Sequence, residues 1–203
     1  MDLWYAAYGS NMASDRFLCY LAGGCPPGAT RTYPGARDRT CPKETRPVRL
    51  DGSVYFAWTS PTWGGGIAFF DPDAPGQSIG VAYRLTLGQF SDVAAQEMHR
   101  EPGSDLQLDD LWHHGSHVLG PGRYESLHVV GNLDDLPVVT FTASWESDDV
   151  DYNPPVAAYL ATMARGIAEV HGWGADEIVD YLLTRPGLGQ AWHEAALRSV
   201  VAA

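Results

Sequence analysis

The chain has 203 residues, is 45% hydrophobic and 19% charged, and carries a formal net charge of −12 with Lys43 as its one lysine. That supports one apolar core and argues against a nucleic-acid partner, whose phosphates it would repel. No apolar run reaches membrane-spanning length, and no basic, apolar leader opens the sequence. Cys19, Cys25 and Cys41 contain no C-x-x-C pair, so neither a disulfide framework nor a cysteine zinc site is expected. The expectation is a single domain over 1–203 in a reducing cytoplasm, with oligomeric state unassigned.

In chain order, Leu3 to Tyr8 is an apolar and aromatic run suited to a buried strand. Gly9-Ser10-Asn11 breaks it, and a helical pattern follows with Met12, Phe17, Leu18 and Leu21 as its apolar positions. In a strand–turn–helix unit the free N–H groups of the turn form an anion site at the helix start. Gly9 allows close backbone approach or positive φ, and Ser10 or Asn11 can cap the helix. Gly23 to Pro47 reads as a long loop rich in Gly, Pro and Arg. Its Arg31, Arg37, Arg39 and Arg46 either steer an anionic substrate or pair at the surface. Val54–Thr59, Ile67–Phe70 and Ser78–Leu85 read as strands, with a Thr62-Trp63-Gly64-Gly65-Gly66 turn between the first two. The rhythm is that of an antiparallel sheet or partial barrel.

Thr86 to Arg100 reads as a helix opened by a Thr86/Gln89 capping box. Leu87, Phe90, Val93, Ala94 and Met98 share one arc, while Gln89, Asp92, Gln96 and His99 lie opposite. Glu97 falls on the apolar arc, four residues after Val93. A carboxylate there is costly unless paired, and desolvation raises its pKa towards the range of a general base. The alternative is a Glu97 bonded to a core arginine or snorkelling at the face's edge. Glu101 is the second candidate base. Residues 102–121 read as a polar loop. Its His113, His114 and His117 give weak support for a metal, since no H-E-x-x-H pattern accompanies them. Tyr124–Val130 and Val138–Trp145 read as strands, with Gly131-Asn132 starting their turn. Helices follow from Asn153-Pro154-Pro155 to about His171, over Asp176–Leu183, and over Gln190–Val200.

Three separated stretches resemble one family, the γ-glutamylcyclotransferase-like proteins. They are Tyr5-x-Ala7-Tyr8-Gly9-Ser10-Asn11; Gly80-Val81-Ala82-Tyr83 through to Gln96-Glu97; and Pro154-Pro155-x-x-x-Tyr159 with Gly166, Gly172 and Tyr181. Trp63-Gly64-Gly65 resembles that family's glycine turn. The resemblance implies an α+β fold with a mixed or antiparallel sheet forming a partial barrel flanked by helices; beyond it, a C-terminal helical extension is expected from about residue 186. It implies cyclisation of a γ-glutamyl amide to 5-oxoproline with release of the amine. Glu97 is the implied acid/base, and Tyr5, Ala6, Ala7, Tyr8, Gly9, Ser10, Asn11 and Tyr159 are the implied binding residues. The implied partner is a small molecule, with no cofactor and no metal. Met98 stands where familiar members have glycine. Residues 102–121, the Gly23–Pro47 loop and the last helix look like additions, which leaves the leaving amine open. The rival readings are removal of a γ-glutamyl protecting group from a biosynthetic intermediate, a non-catalytic binding module with the same pocket, and zinc-dependent hydrolysis through the histidines.

Overall fold

The computed structural model describes residues 1–26, 29 and 31–202. Of the expected Gly23–Pro47 loop, positions 27, 28 and 30 lie outside the described residues. In chain order the elements are β1 (Asp2–Ala7), α1 (Ser14–Ala22), β2 (Thr45–Asp51), β3 (Ser53–Ala57), β4 (Ile67–Asp71), β5 (Gln77–Thr86), α2 (Leu87–Glu97), α3 (Asp109–His114), β6 (Ser116–Val118), β7 (Ser126–Leu133), β8 (Leu136–Thr142), α4 (Ala157–His171), α5 (Ala175–Leu183) and α6 (Glu194–Val201). This is the expected mixed α+β architecture.

The main sheet is open, with strand order β2-β5-β1-β8-β7-β6, and β3 pairs with β4 in a separate hairpin. β1 lies inside the sheet, antiparallel to β5 and parallel to β8. Leu3 to Ala7 are all buried. A strand covered on both faces reads as a continuous apolar run rather than an alternation, which is why this segment stood out. Its Tyr5 ring packs 5.6 Å from Phe17 and 5.0 Å from Phe141, centroid to centroid.

β2 was hidden in sequence because it is an edge strand with Pro47 inside it and mostly exposed, charged residues. Proline is tolerated at an edge, where no outer neighbour needs its missing N–H. Residues 109–114 form a short helix rather than loop. The β7–β8 turn is at Asp134-Asp135, whose φ values of 49° and 59° give a left-handed two-residue turn. Gly131, expected to start that turn, instead marks a break in strand register after Val129.

α2 carries the expected capping box, Thr86 accepting from the Gln89 amide. Its polar side is not solvated, however. Gln89, Asp92 and Gln96 are each no more than 1% exposed. The 23–47 excursion lies against them. Arg37 donates to Asp92 from its amide at 2.8 Å and from Nε at 3.0 Å. Gln89 Nε2 donates to the Thr40 carbonyl at 3.0 Å, and Gln96 accepts from the Gly35 amide at 3.3 Å. A buried polar side chain is tolerable when each of its groups finds a partner, and the excursion supplies them.

α4 docks on the turn that follows β1. Gly166 makes this possible, because a Cβ there would overlap the Met12–Ala13 backbone. α6 packs against α4 and α5.

Candidate active site

After β1 the chain passes through Gly9 into a single 3-10 turn over Ser10–Met12, and α1 begins only at Ser14. Neither Ser10 nor Asn11 caps α1; its N-cap is Ala13, with no side-chain cap bond. Both side chains are buried and turned to other work. Of the two roles open to Gly9, close approach is the one used. Its φ is −116°, and a Cβ would lie 2.8 Å from the Tyr159 hydroxyl. That hydroxyl accepts from the Ala68 amide at 3.0 Å, which fixes Tyr159 over the turn.

The C-terminal end of α2 brings Glu97 to the same place. Asn11 Nδ2 donates to Glu97 Oε1 at 2.7 Å and, more weakly, to Tyr5 Oη at 3.4 Å. An ionised carboxylate only accepts, so the carboxamide nitrogen faces it. The Asn11 Oδ1 is left buried and without a partner among the described residues. Glu97 is half-buried on a cavity wall, not sealed in apolar contacts as the helical arc suggested. α2 is buried all round, so the arc does not point to one sealed side. Burial, with the Glu97 charge second, pushes the Tyr5 phenol well above its ordinary value of 10.0, so it stays protonated.

A buried arginine completes the inner wall. Arg16 Nε donates to Ser10 Oγ at 3.0 Å and Nη2 to Tyr33 Oη at 3.2 Å, and the guanidinium sits 4.9 Å from the Trp63 ring centroid. Its Nη1 is buried with no partner among the described residues. Burial alone would lower the Arg16 pKa; Tyr20, Tyr33 and Glu97 outweigh it and hold the side chain charged. Sequence reasoning passed over Arg16. The signal was there: it falls four residues after Met12 and four before Tyr20, a charge on an apolar stripe, as Glu97 is.

Tyr5, Tyr8, Gly9, Ser10, Asn11, Glu97 and Tyr159 thus line one cavity with Arg16. Tyr8 contributes a wall only, since its hydroxyl is committed to the Phe141 carbonyl at 2.9 Å. Ala6 and Ala7 do not reach the cavity. They are packed within the sheet, the Ala6 carbonyl accepting from Thr140 Oγ1 at 2.7 Å. Glu101 is exposed and outside the lining. Of the four excursion arginines only Arg31 lines the cavity. Arg37 pairs with Asp92 and Asp105, Arg46 with Glu44, and Arg39 with the Pro34 carbonyl. Arg123, at the far end of the 102–121 segment, joins it.

The histidines do not converge. His113 and His114 are exposed on α3, their Nδ1 atoms against that helix's own carbonyls, and His117 lies on β6 near Asp110. Among the described residues no three His, Cys, Asp or Glu side chains form a group that could hold a metal ion. Nor is any described helix long and apolar enough to cross a membrane.

The open mixed sheet with its flanking helices is the γ-glutamyl cyclotransferase fold. A solved γ-glutamyl cyclotransferase superposes with a TM-score of 0.53 at 16% identity, covering 100% of this chain and 99% of that one. An uncharacterized protein from Homo sapiens superposes equally well, TM-score 0.53 at 17% identity, again over 100% and 99% of the two chains. In sequence, histone deacetylase 5 from Arabidopsis thaliana is 34% identical over 200 residues, which cover 90% of this chain and 30% of that protein. The chain therefore spans less than a third of that relative's length. No family model matches the chain.

Proposed function

We propose that the protein is a cyclotransferase that converts a γ-glutamyl amide to 5-oxoproline and a free amine, with Glu97 as the general acid/base. The observation that carries this reading is the 2.7 Å contact between Asn11 Nδ2 and Glu97 Oε1, which holds the carboxylate against the turn after β1 in a shared cavity. A γ-glutamyl amide carries its own nucleophile. Glu97 takes a proton from the α-ammonium, and the freed amine attacks the γ-carbonyl to close a five-membered ring. The amide C–N bond then breaks as Glu97 returns that proton to the departing nitrogen, and the ring nitrogen sheds its second proton to solvent, leaving neutral amine and lactam. The atoms balance without a cofactor. The protein's main contribution is to fold the substrate into the attacking geometry, a proximity effect.

The unpartnered groups suit the glutamyl head. Among the described residues Arg16 Nη1 is a donor without an acceptor, and it matches the α-carboxylate. Asn11 Oδ1 is likewise an acceptor without a donor among them and, beside Glu97, matches the α-ammonium. The turn from Gly9 to Asn11 faces the carbonyl that becomes an oxyanion, where main-chain donors are most useful. Incubation with a panel of γ-glutamyl amides, scoring 5-oxoproline by chromatography, tests the reading. Release of 5-oxoproline from at least one is expected, and none from any would favour a binding module in the same pocket. Removal of a γ-glutamyl protecting group is the same chemistry on a larger amine, and large amides belong in the panel.

A further inference from the structure

The inner cavity is charge-matched to a glutamyl head, Arg16 against its carboxylate and Glu97 against its ammonium. Two more arginines, Arg31 and Arg123, line the same cavity. Arg31 Nη1 lies 2.7 Å from His99 Nδ1, and Arg123 Nη2 lies 2.5 Å from His99 Nε2. A guanidinium only donates, while a neutral imidazole has one acceptor nitrogen and an imidazolium none. At most one of these contacts can be a hydrogen bond. The other guanidinium faces an N–H. Burial, then Arg31 and Arg123, lower the His99 pKa, so the charged imidazole is no remedy. Among the described residues no carboxylate forms a salt bridge with Arg31 or Arg123, and the Arg123 Nε is buried without a partner.

The surroundings hold this cluster in place. The Arg123 guanidinium stacks 4.0 Å from the centroid of the Trp58 ring. Trp58 and His99 both have φ of 58°, a left-handed conformation unusual for bulky side chains. Among the described residues the other non-glycine positions with positive φ are Asp134 and Asp135, in the hairpin turn. Strain of this kind persists where the surroundings over-determine it, and it gathers at ligand sites. Trp58 is tied by Asn153 Nδ2, which donates to its carbonyl at 2.8 Å. The Arg123 loop is tied by Glu125, which accepts from the Gly122 amide at 2.9 Å and pairs with Arg100. In a chain of net charge −12, the lining holds three arginines and one carboxylate.

We propose that Arg123, Arg31 and His99 form an anion-binding rim that sets specificity, so that the amine half of the substrate carries a carboxylate or phosphate which takes the guanidinium donors the imidazole cannot accept. That the anion belongs to the amine half rests on the cyclotransferase reading; the rim itself is tested without turnover. Calorimetry in the Glu97→Gln background compares γ-glutamylglycine, γ-glutamylglycinamide and γ-glutamyl-phosphoethanolamine. At least one anionic ligand should bind about 10- to 100-fold more tightly than the glycinamide, the range for charge-assisted hydrogen bonds. The anion with the larger preference identifies its chemical source. Arg123→Gln should bring the ratio towards one, and Arg123→Lys should keep part of it. Equal binding of all three, binding of none, or a preference untouched by both Arg123→Gln and Arg31→Gln overturns the rim. An anion preference in binding, with no 5-oxoproline from wild-type protein, would support the rim while removing the reaction.

Discussion

Gly9→Ala offers a quantitative test of how the turn and Tyr159 fit together. The added Cβ would sit 2.8 Å from Tyr159 Oη and 3.3 Å from Ala68 Cβ. The hydroxyl cannot swing aside cheaply. Tyr159 is 2% exposed, its ring meets Trp63 edge-on at 5.1 Å, and its oxygen accepts from the Ala68 amide at 3.0 Å. Relief of the clash lengthens that bond. Overpacking of this sort costs about 1–3 kcal/mol, and leaving the Ala68 amide unsatisfied costs about 1–3 kcal/mol more. Tyr159→Phe alone should cost the second amount, since the amide loses its acceptor. The double variant removes the oxygen that the new methyl strikes, so its loss should fall short of the sum by about 1–2 kcal/mol, a typical coupling for residues in contact. Urea denaturation of the four proteins, analysed as two-state transitions, measures the cycle. Strict additivity, or a Gly9→Ala protein as stable as wild type, would refute the proposed contact.

Gly166→Ala forces a methyl into the Met12–Ala13 backbone, so a loss of about 1–3 kcal/mol is expected from overpacking, read as a lowered Tm; an unchanged Tm would contradict the docking of α4. Arg16→Gln should weaken binding of 5-oxoproline or a γ-glutamyl amide about tenfold or more by removing the charged donor, with calorimetry as the measurement and unaltered affinity as the contrary result. Burial holds the imidazoles of His99, His128 and His171 below their ordinary value of 6.5. The unfolded chain therefore takes up protons first as the pH falls, and stability should be full above that value and drop as the pH falls below it. Urea midpoints at pH 7.5 and 5.5 check this, and a higher midpoint at 5.5 would be wrong for three histidines kept neutral by folding.

Much of this architecture can be read from the sequence where local rules and burial agree. β1 is a continuous apolar run because it lies inside the sheet, and the Thr86/Gln89 capping box sets the start of α2 by local chemistry alone. Glu97 is conspicuous because a charge interrupts an apolar arc. Other features depend on distant partners. The polar side of α2 looks solvated until Arg37, Thr40 and Gly35 are laid against it by a loop with no periodicity of its own. β2 reads as loop because an edge strand needs neither apolar alternation nor every N–H. The break at Gly131 and the turn at Asp134-Asp135 differ by three positions, a distinction decided by strand register and not by turn propensity. Arg123 gave no local signal. Its role comes from Trp58 and His99, which only the tertiary structure brings to it.

Glu97 is the centre of the proposed chemistry, and its direct test is single-turnover formation of 5-oxoproline by Glu97→Gln on whichever γ-glutamyl amide the wild-type protein cleaves. A glutamine keeps an oxygen to accept from Asn11 Nδ2 but cannot carry the proton between the two nitrogens. The variant should keep its fold by circular dichroism and turn over about 10²- to 10⁴-fold more slowly, the usual contribution of general acid–base catalysis. A Glu97→Gln protein that forms 5-oxoproline at the wild-type rate would contradict that role.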